Sequence, residues 1–246
     1  MLLIDHTFDD PAANLALDEA LLQATTPIET LRLWRPVRPV VVVGRSSRIA
    51  SEVDLDACQR ADVPVLRRVS GGATIVTGPG CLMYAVVLDS QRTPSAADVS
   101  AAHRYVLGRM LRALGPLRPS LVIAGTSDLA LQPAGAPAEA FRKVSGNAVR
   151  RVRSRLLYHG TLLNHFDLEL VTRLLRTPPR QPDYRAARRH ADFLANLELD
   201  EAQLATAIIA EWQATPASDT AYPASLEDAL HVAQKKHQDR TWTFSR

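Results

Sequence analysis

The most informative stretch of the chain is RRVSGGATIVTGPGC, residues 67–81, in which two arginines, a serine and two adjacent glycines follow a short apolar run. Gly71 and Gly72 carry no side chain, so a ligand could lie directly against the peptide groups there. Arg68 could pair with a phosphate or a carboxylate through two parallel hydrogen bonds, and Ser70 offers a hydroxyl. The pattern predicts a loop that binds an anion or a ligand held against the backbone. The alternative is a strand-to-strand turn with surface arginines.

A second stretch, KVSGNA, places a lysine beside small and polar residues. The chain has three lysines, at positions 143, 235 and 236, against 26 arginines, and Lys143 stands far from the other two. A lysine ammonium is a compact point charge that can be held against phosphate oxygens. Lys143 is therefore a candidate phosphate ligand, although a lysine at the start of a strand is often a solvated edge residue.

A third stretch, YHGTLL, places His159 and Gly160 inside a predicted strand. Glycine weakens strand pairing, so its presence there suggests that a ligand or another backbone approaches closely. A single histidine in a strand can equally be structural.

Several common site patterns are absent from the sequence. It has no GxxxxGK[ST] phosphate loop, no GxGxxG after a strand, no GxSxG and no HExxH. The two cysteines, Cys58 and Cys81, lie in unrelated contexts without metal-ligand spacing. The sequence therefore predicts neither a disulfide nor a metal site, and a phosphate-handling site must be of another kind.

Composition indicates a soluble globular protein. The 246 residues, 46% of them hydrophobic, suffice for one large domain with a sizeable core. No apolar stretch approaches the roughly 20 residues that cross a bilayer, and the start MLLIDHTFDD lacks the features of a signal peptide. We therefore expect a cytoplasmic location. The net charge is only +3, but arginines cluster at 150–155 and 185–189, which could form a basic face for an acidic partner or nucleic acid, or merely a solvated face.

The first half of the chain alternates helices and strands. A helix is predicted from the N-cap Asp10, with Pro11 at its first position, to residue 25. Strands are predicted in TLRLWRP, PVVVVGR, VPVLRRV and TIVTGPGCLMYAVVL, the last broken by a Gly-Pro-Gly turn. A helix over residues 51–62 lies between the second and third of them.

The second half adds further strands and ends in helices. A helix is predicted over 94–115, with Val99, Ala102, Val106 and Met110 on one face. Strands follow in SLVIAGTSDLAL and in a hairpin over residues 142–166 that turns near RSR, and the remainder is helical. The predicted fold class is α/β (α+β), a mixed sheet with flanking helices. Residues 1–200 form the predicted catalytic domain, and residues 201–246 a short helical tail packed on it.

The motifs together resemble a known family. In order and spacing, NLALDEALL, LRLWRPVRPVVVVGRSS, VPVLRRVSGGATIV, SDLAL with RKVSGNA, and LLYHGTLL are similar to the catalytic domain of the lipoate-protein ligase and octanoyltransferase superfamily, relatives of biotin-protein ligase. The resemblance runs from about residue 10 to residue 197. It implies a fold related to class II aminoacyl-tRNA synthetases and the attachment of a lipoyl or octanoyl group to one lysine of an acidic carrier domain.

The resemblance also implies roles for single residues. Lys143 matches the family's strictly placed lysine, which in ligases holds the phosphate and carbonyl of a mixed anhydride, and it is the expected catalytic residue. The residues expected to bind substrate or adenylate are Trp34, Gly44, Arg45, Arg68, Ser70, Gly71, Gly72, Ala73, Thr77, Cys81, Asp128, Ser145, Gly146, Ala148, His159 and Gly160. Three of them depart from the family pattern, because Ala73 replaces a frequent glycine, Thr77 a common histidine and Cys81 a polar residue.

Three functions follow from the resemblance. A ligase would use ATP and Mg²⁺ to form lipoyl-adenylate from lipoate. A transferase would move octanoate from acyl carrier protein through a cysteine thiolate, but no cysteine stands where the resemblance requires one, which leaves Cys81 as an outside candidate and favours the ligase. The short tail also allows a non-catalytic module or half-enzyme that needs a partner chain. The expected partner is a lipoyl domain or the H-type carrier of glycine cleavage, with neither nucleic acid nor membrane.

Overall fold

The computed structural model describes residues 1–24, 29–216 and 224–245. Strands β1–β11 span Leu2–Asp5, Thr30–Trp34, Val40–Val43, Val65–Arg67, Ile75–Thr77, Cys81–Asp89, Leu121–Ala124, Asp128–Leu131, Arg142–Val152, Arg155–Leu163 and Thr215–Pro216. Helices α1–α9 span Pro11–Gln23, Ile49–Glu52, Leu55–Arg60, Val99–Leu114, Glu169–Leu174, His190–Phe193, Glu201–Trp212, Ala224–Gln238 and Arg240–Thr243. Short 3₁₀ helices span Pro94–Ala97, Ala138–Ala140 and Asp183–Arg185.

The main sheet has eight strands in the order β11-β1-β2-β6-β10-β9-β8-β7. Strand β1 pairs in parallel with β2 and β11, and the remaining pairs are antiparallel. The long hairpin of β9 and β10 turns at residues 153–154, as its sequence predicts. The mixed sheet with flanking helices confirms the predicted fold class.

A second sheet, in the order β4-β3-β5, supports the RRVSGG segment. The strand β3 is a run of four valines, all buried, that pairs in parallel with β4 and antiparallel with β5. Continuous β-branched runs are typical of strands covered on both faces. We call the segment between β4 and β5, residues 68–74, the glycine loop. Both of its ends are therefore fixed by strands that pair with β3.

Helix α1 lies in the interior. The Asp10 side chain accepts a hydrogen bond from the Ala12 amide and so caps the helix, and Pro11 occupies its first turn, as predicted. Residues 11–22 are all buried because α1 packs against the sheet on one side and against α8 on the other. Residue 25, at the predicted end of this helix, lies outside the described residues.

Two helix predictions need correction. The helix expected over 51–62 is divided into α2 and α3, because Val53 is extended and bridges to Leu175, and Asp54 starts a new helix by capping the Ala57 amide. Helix α4 starts at Val99 rather than at residue 94, because the Asp98 side chain caps it. Val99 is exposed and does not share the buried face of Ala102, Val106 and Met110, which line one core cluster.

The predicted tail forms α7, β11, α8 and α9 where it is described; residues 217–223 and 246 lie outside the described residues. Helix α7 packs on α4, and α8 on α1. The Arg67 backbone carbonyl, beside the glycine loop, accepts hydrogen bonds from Trp242 Nε1 at 2.9 Å and lies 3.1 Å from His237 Nδ1. Helices α8 and α9 thus contact the end of β4, directly before the glycine loop. A domain boundary at residue 200 stays a prediction.

Candidate functional site

The glycine loop is fixed from its outer side by the turn that follows β3. The Arg45 amide donates to the Ser70 carbonyl at 2.8 Å, and the Ser47 hydroxyl donates to the Gly72 carbonyl at 3.1 Å. Gly72 has φ +88°, a conformation that favours glycine. At Gly44, a Cβ atom would lie 1.9 Å from the Gly72 oxygen. The two segments therefore approach each other closely only because position 44 lacks a side chain.

The Arg68 guanidinium lies beneath the glycine loop and is 6% exposed. Its Nη2 donates to the Gly71 carbonyl at 2.6 Å and to the Ala73 carbonyl at 2.9 Å, and its Nη1 donates to the Val42 carbonyl at 3.0 Å. Its Nε donates to Ser70 Oγ at 3.1 Å. Burial lowers the pKa of Arg68 to about 10, so the group is still charged at neutral pH. The guanidinium nitrogens that the sequence suggested for a phosphate thus donate to backbone carbonyls, two of them in the glycine loop.

Lys143 lies on the opposite wall, near the start of β9. Its Nζ is 2.8 Å from Asp128 Oδ1, and its side chain is 24% exposed. The Tyr184 hydroxyl donates to Asp128 Oδ2 at 2.9 Å, and burial together with the Asp128 charge raises the pKa of this tyrosine. A Cβ at Gly146 would lie 2.8 Å from Lys143 Nζ. The ammonium therefore rests over a residue without a side chain and is oriented by one carboxylate.

The residues next to Lys143 on β9 form a polar network with β6. Asn147 Nδ2 donates to the Ser127 carbonyl at 2.7 Å and to Ser145 Oγ at 3.2 Å, while the Tyr84 hydroxyl donates to Asn147 Oδ1. A Cβ at Gly160 would lie 1.9 Å from Asn147 Oδ1. The glycine of the HGTLL motif thus makes room for the Asn147 side chain, in keeping with the close approach that its sequence suggests.

A cavity of about 400 Å³ lies between the glycine loop and Lys143. Its walls are largely apolar, and they include Trp34, Val42, Ile75, Val76, Met83 and Leu163. Of the residues expected from the sequence, it is lined by Trp34, Arg68, Gly72, Ala73, Asp128, Lys143, Gly146, Ala148, His159 and Gly160. Gly44, Arg45, Ser70, Gly71, Thr77, Cys81 and Ser145 are not part of its lining. An elongated apolar chain with one anionic end would match these walls.

The family assignment comes from a comparison with known sequences. Residues 10–208 match the profile of the family described as lipoyl protein ligase A/B catalytic domain. The chain belongs to this family. The match covers the glycine loop, Lys143 and the HGTLL strand, so the whole site lies inside the lipoyl ligase catalytic domain.

Curated relatives include both ligases and a transferase. The chain is 26% identical over 196 residues to lipoate–protein ligase 1 of Staphylococcus aureus, covering 79% of this chain and 55% of the relative. It is 29% identical over 213 residues to octanoyltransferase LipM of Oceanobacillus iheyensis, covering 81% and 78%. The chain thus spans about half the length of two curated lipoate-protein ligases that it matches, 55% of one and 42% of the other.

Solved structures share the fold. A bi-partite lipoate protein ligase of Thermoplasma acidophilum, described with its E2 lipoyl domain, superposes with a TM-score of 0.81 at 20% identity, covering 99% of this chain and 95% of that chain. A lipoate protein ligase of the same organism with bound lipoic acid gives 0.79 at 18% identity, covering 99% and 98%. Lipoate-protein ligase A bound with ATP gives 0.75 at 19% identity, covering 99% and 98%.

Both cysteines of this lipoyl ligase family member are buried away from the cavity. Burial raises the pKa of Cys81 to about 11, and burial followed by the Asp54 charge raises that of Cys58. A thiol with such a pKa is protonated at neutral pH and is a weak nucleophile. Thr77, beside Cys81, is also buried and donates to Met83 Sδ at 3.1 Å.

Sequence reasoning missed several residues that line the cavity, including Asp18, Glu52, Tyr84 and Asn147. Arg185, which the sequence placed only in an arginine cluster, lines it as well. In the sequence, Asp18 and Glu52 are acidic residues at otherwise apolar helix positions, which is a weak indication of a site. The structure shows that both side chains are buried. Glu52 Oε2 accepts a hydrogen bond from the Thr74 amide at 2.7 Å and so holds the end of the glycine loop. Arg176 and Arg180 add exposed positive charge beside the cavity.

The structure separates the arginines of the two sequence clusters by exposure, since Arg151, Arg153 and Arg189 are exposed whereas Arg185 is buried. Arg185 is buried, and its Nε donates to the Arg188 carbonyl at 3.0 Å. Arg188 donates to the carbonyls of Phe141 at 2.8 Å and Tyr184 at 2.9 Å. In the other cluster, Arg151 donates to the Ala97 carbonyl. Arg151, Arg185 and Arg188 thus bind backbone carbonyls. Arg185 is too buried to belong to a basic docking face, and for the other arginines such a face stays a prediction.

The described residues also bear on metal binding and membranes. Within the described ranges, no group of three or more His, Cys, Asp or Glu side chains is arranged to hold a metal ion. Among the helices of the same ranges, none has the length and apolar character needed to span a bilayer.

Proposed function

We propose that this chain is the catalytic part of a lipoate-protein ligase that joins a lipoyl or octanoyl group to a lysine of an acidic carrier domain through an acyl-adenylate. The observation that carries the proposal is a lysine ammonium on the wall of an apolar cavity that neither cysteine lines. The cavity takes the acyl chain, and Lys143 faces the end where negative charge accumulates. The ATP-bound and lipoate-bound structures of the same fold support this choice of substrates.

The chemistry needs two steps. In the first, the acyl carboxylate bonds to the α-phosphorus of ATP and pyrophosphate leaves. In the second, the carrier lysine attacks the acyl carbonyl and AMP leaves. Lys143 stabilises negative charge on the phosphate and carbonyl oxygens in both steps, and a preorganised contact of this kind is commonly worth about 10²–10³ in rate. The bare backbone of Gly72 lets the phosphate approach the loop.

Magnesium would enter this reaction as the counterion of the ATP phosphates, and among the described residues no group of three or more His, Cys, Asp or Glu is arranged to hold it. A Mg²⁺ site usually combines one or two carboxylates with substrate phosphates. The two oxygens of Asp128 are engaged by Lys143 and Tyr184. Those of Asp18 are engaged by Arg32 and His159. Both carboxylates are therefore already paired with groups of the chain itself.

Octanoyl transfer from acyl carrier protein is the second candidate, and the similarity to LipM favours it. A transferase that splits the reaction into two steps requires an activated nucleophile. The high pKa and the burial of Cys81 argue against a thiolate in that role. A bi-partite relative exists, so a partner chain belongs in the test.

The test is an assay of the purified chain with a lipoyl domain and, in parallel, with the H-type carrier protein of glycine cleavage. Lipoate with ATP-Mg²⁺ is supplied in one arm and octanoyl-acyl carrier protein in another, each with and without a candidate accessory chain. Product and pyrophosphate in the first arm support the ligase, and product from the second arm alone supports the transferase. Lys143→Gln should abolish most product, while Lys235→Gln, at an exposed position of α8, is the matched control. Absence of product in every arm would refute the proposed function.

A further inference from the structure

A chain of hydrogen bonds joins helix α1 to the glycine loop through strand β10. Asp18 lies on α1, His159 on β10 and Ser70 within the glycine loop. His159 Nδ1 lies 3.0 Å from Asp18 Oδ2, and its Nε2 lies 2.6 Å from Ser70 Oγ. Three elements that are distant in sequence therefore meet at one imidazole ring.

The donor and acceptor roles in this chain follow from the charge of Asp18. Burial by itself raises the pKa of Asp18, but Arg32, with Nη1 at 2.5 Å, and His159 bring it below its ordinary value. An ionised carboxylate only accepts, so Nδ1 of His159 carries a hydrogen. When the ring is neutral, Nε2 is then an acceptor and the Ser70 hydroxyl donates to it; when the ring is protonated, Nε2 donates to Ser70 Oγ. Ser70 Oγ in turn accepts from Arg68 Nε at 3.1 Å.

The order of serine, histidine and aspartate matches that of a catalytic triad, but the serine faces the wrong way for one. The Ser70 side chain is fully buried and does not line the cavity, whereas His159 and Asp18 do. A nucleophile must reach the reacting carbon, and Ser70 Oγ is enclosed by Arg68 and His159 instead. The geometry suits a support for the loop better than a covalent acyl acceptor.

We propose that Asp18 and His159 are positioning residues that, through the Ser70 hydroxyl, hold the glycine loop in its ligand-binding position before substrate arrives. Hydrogen bonds in such a chain polarise and strengthen one another. A loop that is already ordered loses less conformational entropy when the ligand binds. The network should therefore increase the affinity for the acyl substrate more than the rate of the chemical step. The identity of that substrate rests on the proposed function, whereas the loop-holding role does not.

Two backbone amides report on the position of the loop. The Arg45 amide donates to the Ser70 carbonyl at 2.8 Å, and the Thr74 amide donates to Glu52 Oε2 at 2.7 Å. Both bonds should open more often if the loop is released. Ser70→Ala removes the hydroxyl while leaving the cavity wall unchanged, because Ser70 does not line it.

The experiment measures amide hydrogen exchange on the full chain without ligand, by NMR. Ser70→Ala and Asp18→Asn should each speed exchange at these two amides about tenfold, the factor expected when one net hydrogen bond is lost. Ser51→Ala is the matched control, since Ser51 Oγ donates to the Arg48 carbonyl outside the glycine loop. In transfer assays, Ser70→Ala should raise KM for the acyl substrate by a similar factor, with kcat within about twofold of wild type.

Unchanged exchange at both amides in Ser70→Ala would overturn the proposal. So would an equal loss in kcat, or an acyl adduct on Ser70 detected by mass spectrometry, because either would place this serine in the chemistry. If wild type forms no lipoyl product but the exchange rates rise as expected, the proposed function fails and the positioning role stands.

Discussion

Gly44→Ala tests whether the close approach of two loops creates the ligand site. The new Cβ would lie 1.9 Å from the Gly72 oxygen and 3.2 Å from Ser47 Oγ. Since ordinary Cβ contacts begin near 3.4 Å, the Gly72 carbonyl has to move by about 1.5 Å. A displacement of about 1 Å in a substrate-positioning group can cost about 10²-fold in rate. We therefore expect kcat/KM for acyl transfer to fall about 100-fold.

The stability of the fold should change much less. Overpacking a well-packed site costs about 1–3 kcal/mol, which lowers the melting temperature by several degrees in a protein of this size. Gly71→Ala is the matched control, because a Cβ there has no heavy atom within 4 Å and Gly71 is not among the glycines with positive φ. This control should keep activity and gain about 0.4–1 kcal/mol of stability from the reduced entropy of the unfolded chain.

The assays are steady-state transfer kinetics and thermal unfolding on both variants. Hydrogen exchange at the Arg45 amide, which donates to the Ser70 carbonyl, reports loop movement without relying on activity. Normal kinetics and exchange in Gly44→Ala would show that the Gly72 carbonyl position does not matter. A 100-fold loss in Gly71→Ala would show that the loop tolerates no side chain for a reason other than the clash.

The remaining predictions concern charge and ionisation. Lys143→Arg should fold but lose about 10²-fold or more in transfer rate, because the planar guanidinium cannot replace the compact ammonium. Lys235→Arg is the control and should show unchanged kinetics. Near-normal transfer by Lys143→Arg would remove Lys143 from the mechanism. With a pKa of about 11, Cys81 should react with a thiol reagent at pH 8 only after denaturation, and rapid native labelling would contradict its burial. For Glu19, burial raises the pKa but hydrogen bonds from His237 and Lys236 lower it below its ordinary value, and Asp18 is likewise lowered. The stability that these carboxylates contribute is therefore complete above about pH 4.5 and is lost as the pH falls through their lowered pKa values. Between pH 7 and pH 3, the melting temperature of Asp18→Asn should therefore fall less steeply with pH than that of wild type. An identical slope of melting temperature against pH in the two proteins would refute the linkage.

The sequence revealed the parts of the site that lie in contiguous motifs. The glycine pair, Lys143 and the His-Gly dipeptide each stand out because their residue types conflict with an ordinary strand or turn, and the structure brings Gly72, Lys143 and His159 to one cavity. The hairpin and the Asp10 cap were also predictable, since both depend on neighbours within a few residues.

Pairings between distant segments could not be predicted in this way. Asp18 contacts His159, which lies 141 residues further along the chain, and only the packing of α1 on β10 brings the two side chains together. The break between α2 and α3 has the same origin, because Val53 leaves the helix to bridge Leu175, 122 residues further along. Local propensity cannot anticipate a contact that competes from outside the segment.

Arg68 and Lys143 show why residue type alone does not assign a charge to a ligand. Both were expected to neutralise a phosphate, but the glycine loop turns its own carbonyls inward, and a buried carbonyl requires a donor. Arg68 supplies that donor to Gly71 and Ala73 and is 6% exposed, while Lys143 keeps a 24% exposed side chain on the cavity wall. An arginine fork satisfies several carbonyls at once, which suits it to holding a loop, whereas a compact ammonium with one carboxylate partner still has hydrogens to donate. The Arg68 guanidinium thus maintains the shape of the glycine loop. Of these two cations, Lys143 is the one that keeps hydrogens to offer to an anion in the cavity.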